Sequence, residues 1–132
     1  MIPNFRAWNK ATKEMHEADD IVSLNFEKKQ ICVKTLFFGQ LNYYDFDDII
    51  LMQSTGLKDK DDKEIFEGDI LSSKDGLLNG VVEYRYDLGM WTNSLIRYNN
   101  FERLCNVARD REIIGNIWED GDLIDGKKTS EN

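Results

Sequence analysis

Proline is almost missing from this chain. The single one, Pro3, stands near its start, so no proline-rich linker divides the remaining residues. Cysteine is scarce as well. Cys32 and Cys105 lack the spacing of a disulfide framework and sit among apolar neighbours, in ICV and LCNV, which predicts buried free thiols in a reducing cytoplasm. Histidine occurs once. His16 lies in the polar stretch KEMHEADD with no orienting partner indicated, so it is expected at the surface, and one histidine with two distant cysteines offers no zinc spacing. Apolar runs are short, such as IILM at 49–52, far below the ~20 residues of a membrane span. The first twenty residues include Arg6, Lys10, Lys13, Glu14, Glu17, Asp19 and Asp20 and have no apolar stretch of the kind a targeting peptide needs. Neither GxGxxG nor GxxxxGK[ST] occurs, so a phosphate cradle is absent and no cofactor is expected. Basic charge is in deficit too. The net charge is −8, most of it in residues 42–75, and such a surface repels a phosphate backbone.

What is present is a folding composition. Of 132 residues, 41% are hydrophobic and 32% charged, which separates the chain from disordered sequences. At this length folding buries roughly two-thirds of the unfolded surface, enough for a core without disulfides or metals. Most of the chain reads as short strands between turns: FRAW at 5–8, IVSLNF at 21–26, ICVKTLFF at 31–38, FDDIILMQ at 46–53, GVVEYRY at 80–86, MWTNSLIRY at 90–98 and IIGNIW at 113–118. IFEGDIL at 65–71 is broken by Gly68, and Asp87-Leu88-Gly89 reads as a hairpin turn. One segment has the other period. Phe101, Leu104, Cys105 and Ala108 are spaced as one face of a short helix, capped by Asn99 or Asn100. The fold class is therefore mainly β, a small barrel or sandwich with one helix. Ile65, Ile70, Val81, Trp91, Ile114 and Ile117 are the expected core.

The densest charge lies in GLKDKDDKEIFEGDIL at 56–71. A calcium loop beginning at Asp59 has Asp61 at its third position. It then fails, with Lys63 at the fifth, Glu64 at the sixth and Ile70 at the twelfth. Catalysis by Glu67 and Asp69 would need a desolvated cleft, which nothing in the stretch suggests. A turn accounts for more residues. Gly56 ends one strand, Asp and Lys keep 58–63 solvated, Gly68 permits a sharp bend, and the Asp69 carboxylate accepts from backbone N–H groups.

FRAW, LMQSTGLKDKDDKEIFEGDIL at 51–71, GVVEY at 80–84 and IIGNIWED at 113–120, in that order, resemble the YopX family, small proteins encoded by phages and prophages of low-GC Gram-positive bacteria. One departure is Asp61-Asp62, where Asn-Gly is the expected pair. The resemblance implies an SH3-like β-barrel in the C-terminal part, and it carries no catalytic residues to transfer. The expected layout is an N-terminal β segment over 1–53, the barrel over 54–125 and a flexible tail over 126–132.

A second feature bears on function. Arg85, Arg97 and Arg103 interleave with Tyr84, Tyr86, Trp91, Tyr98 and Phe101. These aromatics can fill a barrel core, anchor a protein interface, or stack single-stranded bases. The interface residues expected are Arg85, Trp91, Arg97, Tyr98 and Phe101, with Phe37, Phe38, Tyr43 and Tyr44 as a second set. Fifteen aromatics are many for a thin sheet to hide, so a homo-oligomer is expected. The whole reads as a cytoplasmic, non-catalytic protein of a bacterial host cell, binding another protein and no metal or membrane. The alternatives are a nucleic-acid-related role through the Arg/aromatic surface, or mimicry of DNA by the acidic one.

Overall fold

The computed structural model describes residues 4–35 and 39–125. It divides into two units, Met1–Gln53 and Ser54–Asn132, each built on antiparallel strands around its own core. The fold is mainly β. Among the described residues no helix is long and apolar enough to cross a membrane.

In the first unit, β1 (Phe5–Asn9) lies between β2 (Glu14–His16) and the start of β6 (Ile49–Lys58). The β1–β2 turn is set by Asn9, fully buried, whose Oδ1 accepts from the N–H groups of Ala11 (3.0 Å) and Thr12 (3.1 Å). A three-stranded sheet follows, β3 (Ile21–Asn25), β4 (Gln30–Lys34) and β5 (Leu41–Asp45), with β4 central. That position explains the unbroken ICV run, since Ile31, Cys32 and Val33 are all buried. Ala7, Ile31, Val33 and Ile49 form the core, with Tyr44 and Phe46 packed against them. Sequence reasoning missed β2 and β5. It also began the next strand at Phe46, whereas Phe46–Asp48 is a 3₁₀ turn and β6 runs from Ile49 on to Lys58.

In the second unit, β7 (Glu64–Phe66) pairs with the end of β6. A five-stranded sheet has the order β11 (Asn100–Arg103), β10 (Met90–Leu95), β9 (Asn79–Arg85), β8 (Asp69–Ser72), β12 (Glu112–Asn116). This order is compatible with the SH3-like barrel expected for the segment. Ile65, Leu71, Val82, Leu104 and Ala108 form the core, with Leu57, Trp91 and Ile113 against it. The β9–β10 hairpin turns at Gly89, φ +65°, whose N–H donates to the Arg85 carbonyl at 2.7 Å.

Several expectations need correction here. Residues 99–108 are not one helix. β11 takes up Phe101, and α1 (Leu104–Val107) is a single turn followed by a 3₁₀ turn over Ala108–Asp110, because pairing with β10 outweighs a short helical stripe. Leu104 and Ala108 still enter the core, but Cys105 is exposed, not buried. Of the six expected core residues, Ile65, Ile70 and Val81 are buried, and Trp91 and Ile117 are half-buried. Ile114 is 36% exposed, since β12 shifts register between Ile113 and Gly115 and the bulge turns Ile113 inward in its place. The strand expected over 113–118 ends at Asn116, and the chain then forms two single-turn helices, α2 (Ile117–Asp120) and α3 (Asp122–Asp125). The segment 126–132 lies outside the described residues.

Gly80 on β9 serves a buried polar chain. Asn93, fully buried, donates to Glu102 (2.9 Å), which accepts from Arg111 (2.6 Å). A Cβ on Gly80 would fall inside the Asn93 amide, 2.7 Å from its Cγ. Gly80→Ala is expected to cost about 2 kcal/mol in urea unfolding, because Glu102 holds Asn93 in place. An unchanged midpoint would mean that Asn93 swings aside freely.

Candidate functional site

The acidic stretch resolves into a structural turn. Asp59 N–H donates to the Lys63 carbonyl (2.8 Å) and Asp62 N–H to the Asp59 carbonyl (3.0 Å). The Asp59 carboxylate is the hub. Its Oδ1 accepts from the N–H groups of Asp61 (2.9 Å) and Lys63 (2.9 Å), and its Oδ2 from that of Ile113 (3.0 Å). Asp59 is fully buried, which corrects the expectation that charge keeps the whole loop solvated. Burial alone would raise its pKa, but the three N–H donors and the nearby Lys63 charge outweigh it and hold the carboxyl below the usual carboxylate range. Both oxygens are thus spent on main chain. Among the described residues no group of three or more histidine, cysteine or acidic side chains is placed to hold a metal ion.

Asp62, the second residue of the unusual Asp-Asp pair, has φ +68°. It takes the left-handed conformation that the expected glycine would adopt without strain. Its ion pairs with Arg109 (3.1 Å) and Lys58 (3.8 Å) are exposed and weak. Asp62→Gly is therefore expected to raise stability by about 0.5 kcal/mol, read as a higher melting temperature. A lower one would show that the ion pairs outweigh the backbone.

Gly68 has φ +87° and makes the bend between β7 and β8. Its N–H donates to the Val82 carbonyl (2.8 Å) and its carbonyl accepts from Ile117 N–H (2.9 Å). Asp69 is buried, and its Oδ2 accepts from Phe66 N–H (2.8 Å) across that bend. Gly56 does not end a strand. It lies inside β6, φ +78°, where the register with β7 shifts.

The Arg/aromatic segment is divided between two faces. The pairs Met90↔Arg85 and Ser94↔Phe101 put Arg85 and Phe101 on one face, while Trp91↔Tyr84 lies on the other. Trp91 packs against the core, edge-on to Tyr84 at 5.3 Å. On the first face the Arg85 guanidinium lies over the Phe101 ring, 5.2 Å from its centroid. Two further bonds, 2.9 and 2.7 Å, tie it to Asp87 and hold the Asp87 carboxyl below the usual range. Arg97 and Tyr98 lie apart from this pair, on an exposed 3₁₀ turn over Ile96–Tyr98, with the Tyr98 hydroxyl donating to the Leu77 carbonyl (3.3 Å).

The second set is divided as well. Tyr44 joins the core of the first unit and stacks on His16 at 5.5 Å. Tyr43 is exposed, and the neighbouring Cys32 thiol raises its pKa. Phe37 and Phe38 lie outside the described residues. His16 is half-buried on β2, not on the surface as expected. Because Asn9 Oδ1 is committed to its turn, Asn9 Nδ2 donates to His16 Nε2 at 3.2 Å.

The model of the YopX protein family matches residues 4–125. The chain belongs to the YopX family. Two solved structures are similar over nearly all of it. Protein EF1440 from Enterococcus faecalis is 29% identical, with a TM-score of 0.60, covering 94% of this chain and 99% of that one. Protein yopX from Bacillus subtilis is 19% identical, with a TM-score of 0.58, covering 91% and 96%, and shows the shared fold. No curated protein matches.

In this YopX-family chain, two exposed apolar residues stand outside the expected interface set. Tyr86, 88% exposed, follows β9, and Ile96 opens the 3₁₀ turn that carries Tyr98. Strand alternation alone would have put Tyr86 beside Tyr84. The two rings do meet, at 4.9 Å, but past the end of the strand nothing covers the second.

Proposed function

We propose that this YopX-family chain is a phage- or prophage-encoded, non-catalytic binding protein. It acts in the bacterial cytoplasm through protein–protein contacts, another copy of itself included. The observation that carries the reading is the Arg85–Phe101 pair on one face of the second unit's sheet, Phe101 37% exposed with the Arg85 guanidinium over its ring. Tyr98 (52% exposed), Ile96 and Tyr86 are further exposed apolar side chains of the same unit, outside that pair. Arginine and aromatic side chains are the residues interfaces use as anchors, and Arg85 is already pre-positioned by Asp87. Asp69, one of the two acids that the catalytic reading would draw on, supports this reading too, since its carboxylate accepts from the Phe66 main-chain N–H.

Light scattering over a tenfold dilution at micromolar concentration tests self-association. A mass above the 15.4 kDa monomer is expected, falling on dilution, with Tyr98→Ser/Phe101→Ser shifting the balance to monomer. A monomer at every concentration removes the self-contact. Turnover of a generic substrate, abolished by one carboxylate substitution, would replace the reading with an enzyme.

A further inference from the structure

An open groove of about 950 Å³ in the second unit brings together Lys60, Lys74, Arg109 and Arg111 in a chain whose net charge is −8. That volume holds several residues of an extended segment. Arg111 is fixed from behind, because its Nη2 donates to Glu102, which Asn93 also holds. Its Nε is buried without an acceptor. Lys60 and Arg109 pair with Glu112 (3.7 Å) and Asp62 (3.1 Å), exposed pairs that exchange readily for another anion. Lys74 is exposed and has no ion pair among the described residues. Two acids, Asp75 and Asp110, also line the groove. The Asp75 carboxylate is turned back onto its own loop, accepting from Ser73 Oγ (2.6 Å) and Leu77 N–H (3.0 Å).

We infer that this groove binds a short acidic segment of a protein, its carboxylates received by Lys60, Lys74 and Arg109 above Arg111, with an apolar contact on Leu78. The site is separate from the Arg85–Phe101 surface, so either stands if the other fails. The alternation of charge selects the occupant. A nucleic-acid backbone brings a uniform row of phosphates, which Asp75 and Asp110 oppose within the groove. A peptide can set carboxylates against the cations and N–H or hydroxyl groups against the two acids.

The test is fluorescence anisotropy with a labelled peptide of about ten residues, alternating glutamate and serine. A peptide with lysine for glutamate and a single-stranded DNA of similar length are the controls. Saturable binding of the glutamate peptide is expected, weakening between about 50 and about 200 mM salt. Lys74→Glu/Arg109→Glu should weaken it more than about tenfold at an unchanged melting temperature, while Phe101→Ala leaves it unchanged. Should Arg109→Glu disturb the fold, Lys60→Glu/Lys74→Glu makes the same measurement. No saturable binding of the glutamate peptide, equal binding by the charge-reversed protein, or tighter binding of the DNA would each overturn the inference.

Discussion

Asp59→Ala is expected to destabilise the protein by about 3 kcal/mol at neutral pH, a fall of roughly 10 °C in melting temperature. The substitution strips an acceptor from three N–H groups at once. Those of Asp61 and Lys63 can turn to water, but the Ile113 N–H lies on β12 and is left without its acceptor. The loss also unties the 59–63 turn from a strand 54 residues away, so the long-range contact goes with the local one. Asp59→Asn keeps one acceptor oxygen and should recover part of the loss.

The pH dependence has a defined sign. The folded-state pKa of Asp59 is depressed, so its contribution is present above the unfolded-state value and is lost as pH falls through the folded one. The gap between the wild type and Asp59→Asn should therefore close in acid, below the ordinary carboxylate range. Chelator should not move the melting temperature of either protein. Urea titrations at several pH values check all of this. A loss below about 1 kcal/mol at neutral pH would mean that water replaces the carboxylate at all three donors.

Gly68→Val should cost about 3 kcal/mol by a different route. A β-branched residue is strained at φ +87°, and the bend cannot relax, because the N–H and the carbonyl of Gly68 are both bonded, to Val82 and to Ile117. Gly68→Asn should cost less, since asparagine tolerates positive φ better than valine. Equal loss for the two would point to crowding by any side chain and not to backbone strain. No loss for valine would show that the bend opens freely. Both changes act on one region, where β7, β8 and β12 meet, so their effects are not expected to add when combined.

The mainly β class was legible from short alternating runs, because a period of two is a local property that survives without knowing the partner strand. GVVEYR formed β9 and FRAW formed most of β1 on that ground. Gly68 and Gly89 were legible as bends because only glycine takes positive φ at little cost. The four blocks that resemble the YopX family pointed to it for the same reason, since each is a continuous local signature.

Other features depended on what each residue meets far along the chain. β5 carries LNYYD, an undistinguished run that becomes a strand because β4 offers it five pairing partners. Asp59 reads as one acid among six in its stretch, and only Ile113, brought in from β12, makes it a buried hub. Ile113 and Ile114 are equivalent letters, and the bulge against β8 decides which one enters the core. Phe101 fits a helical stripe until β10 pairs with it. That pairing carries Phe101 beneath Arg85 and leaves α1 too short to bury Cys105. The physical reason is common to all four. Strand pairing, register and burial of a charge are set by groups distant in sequence, and local propensities of a few tenths of a kcal/mol per residue yield to them.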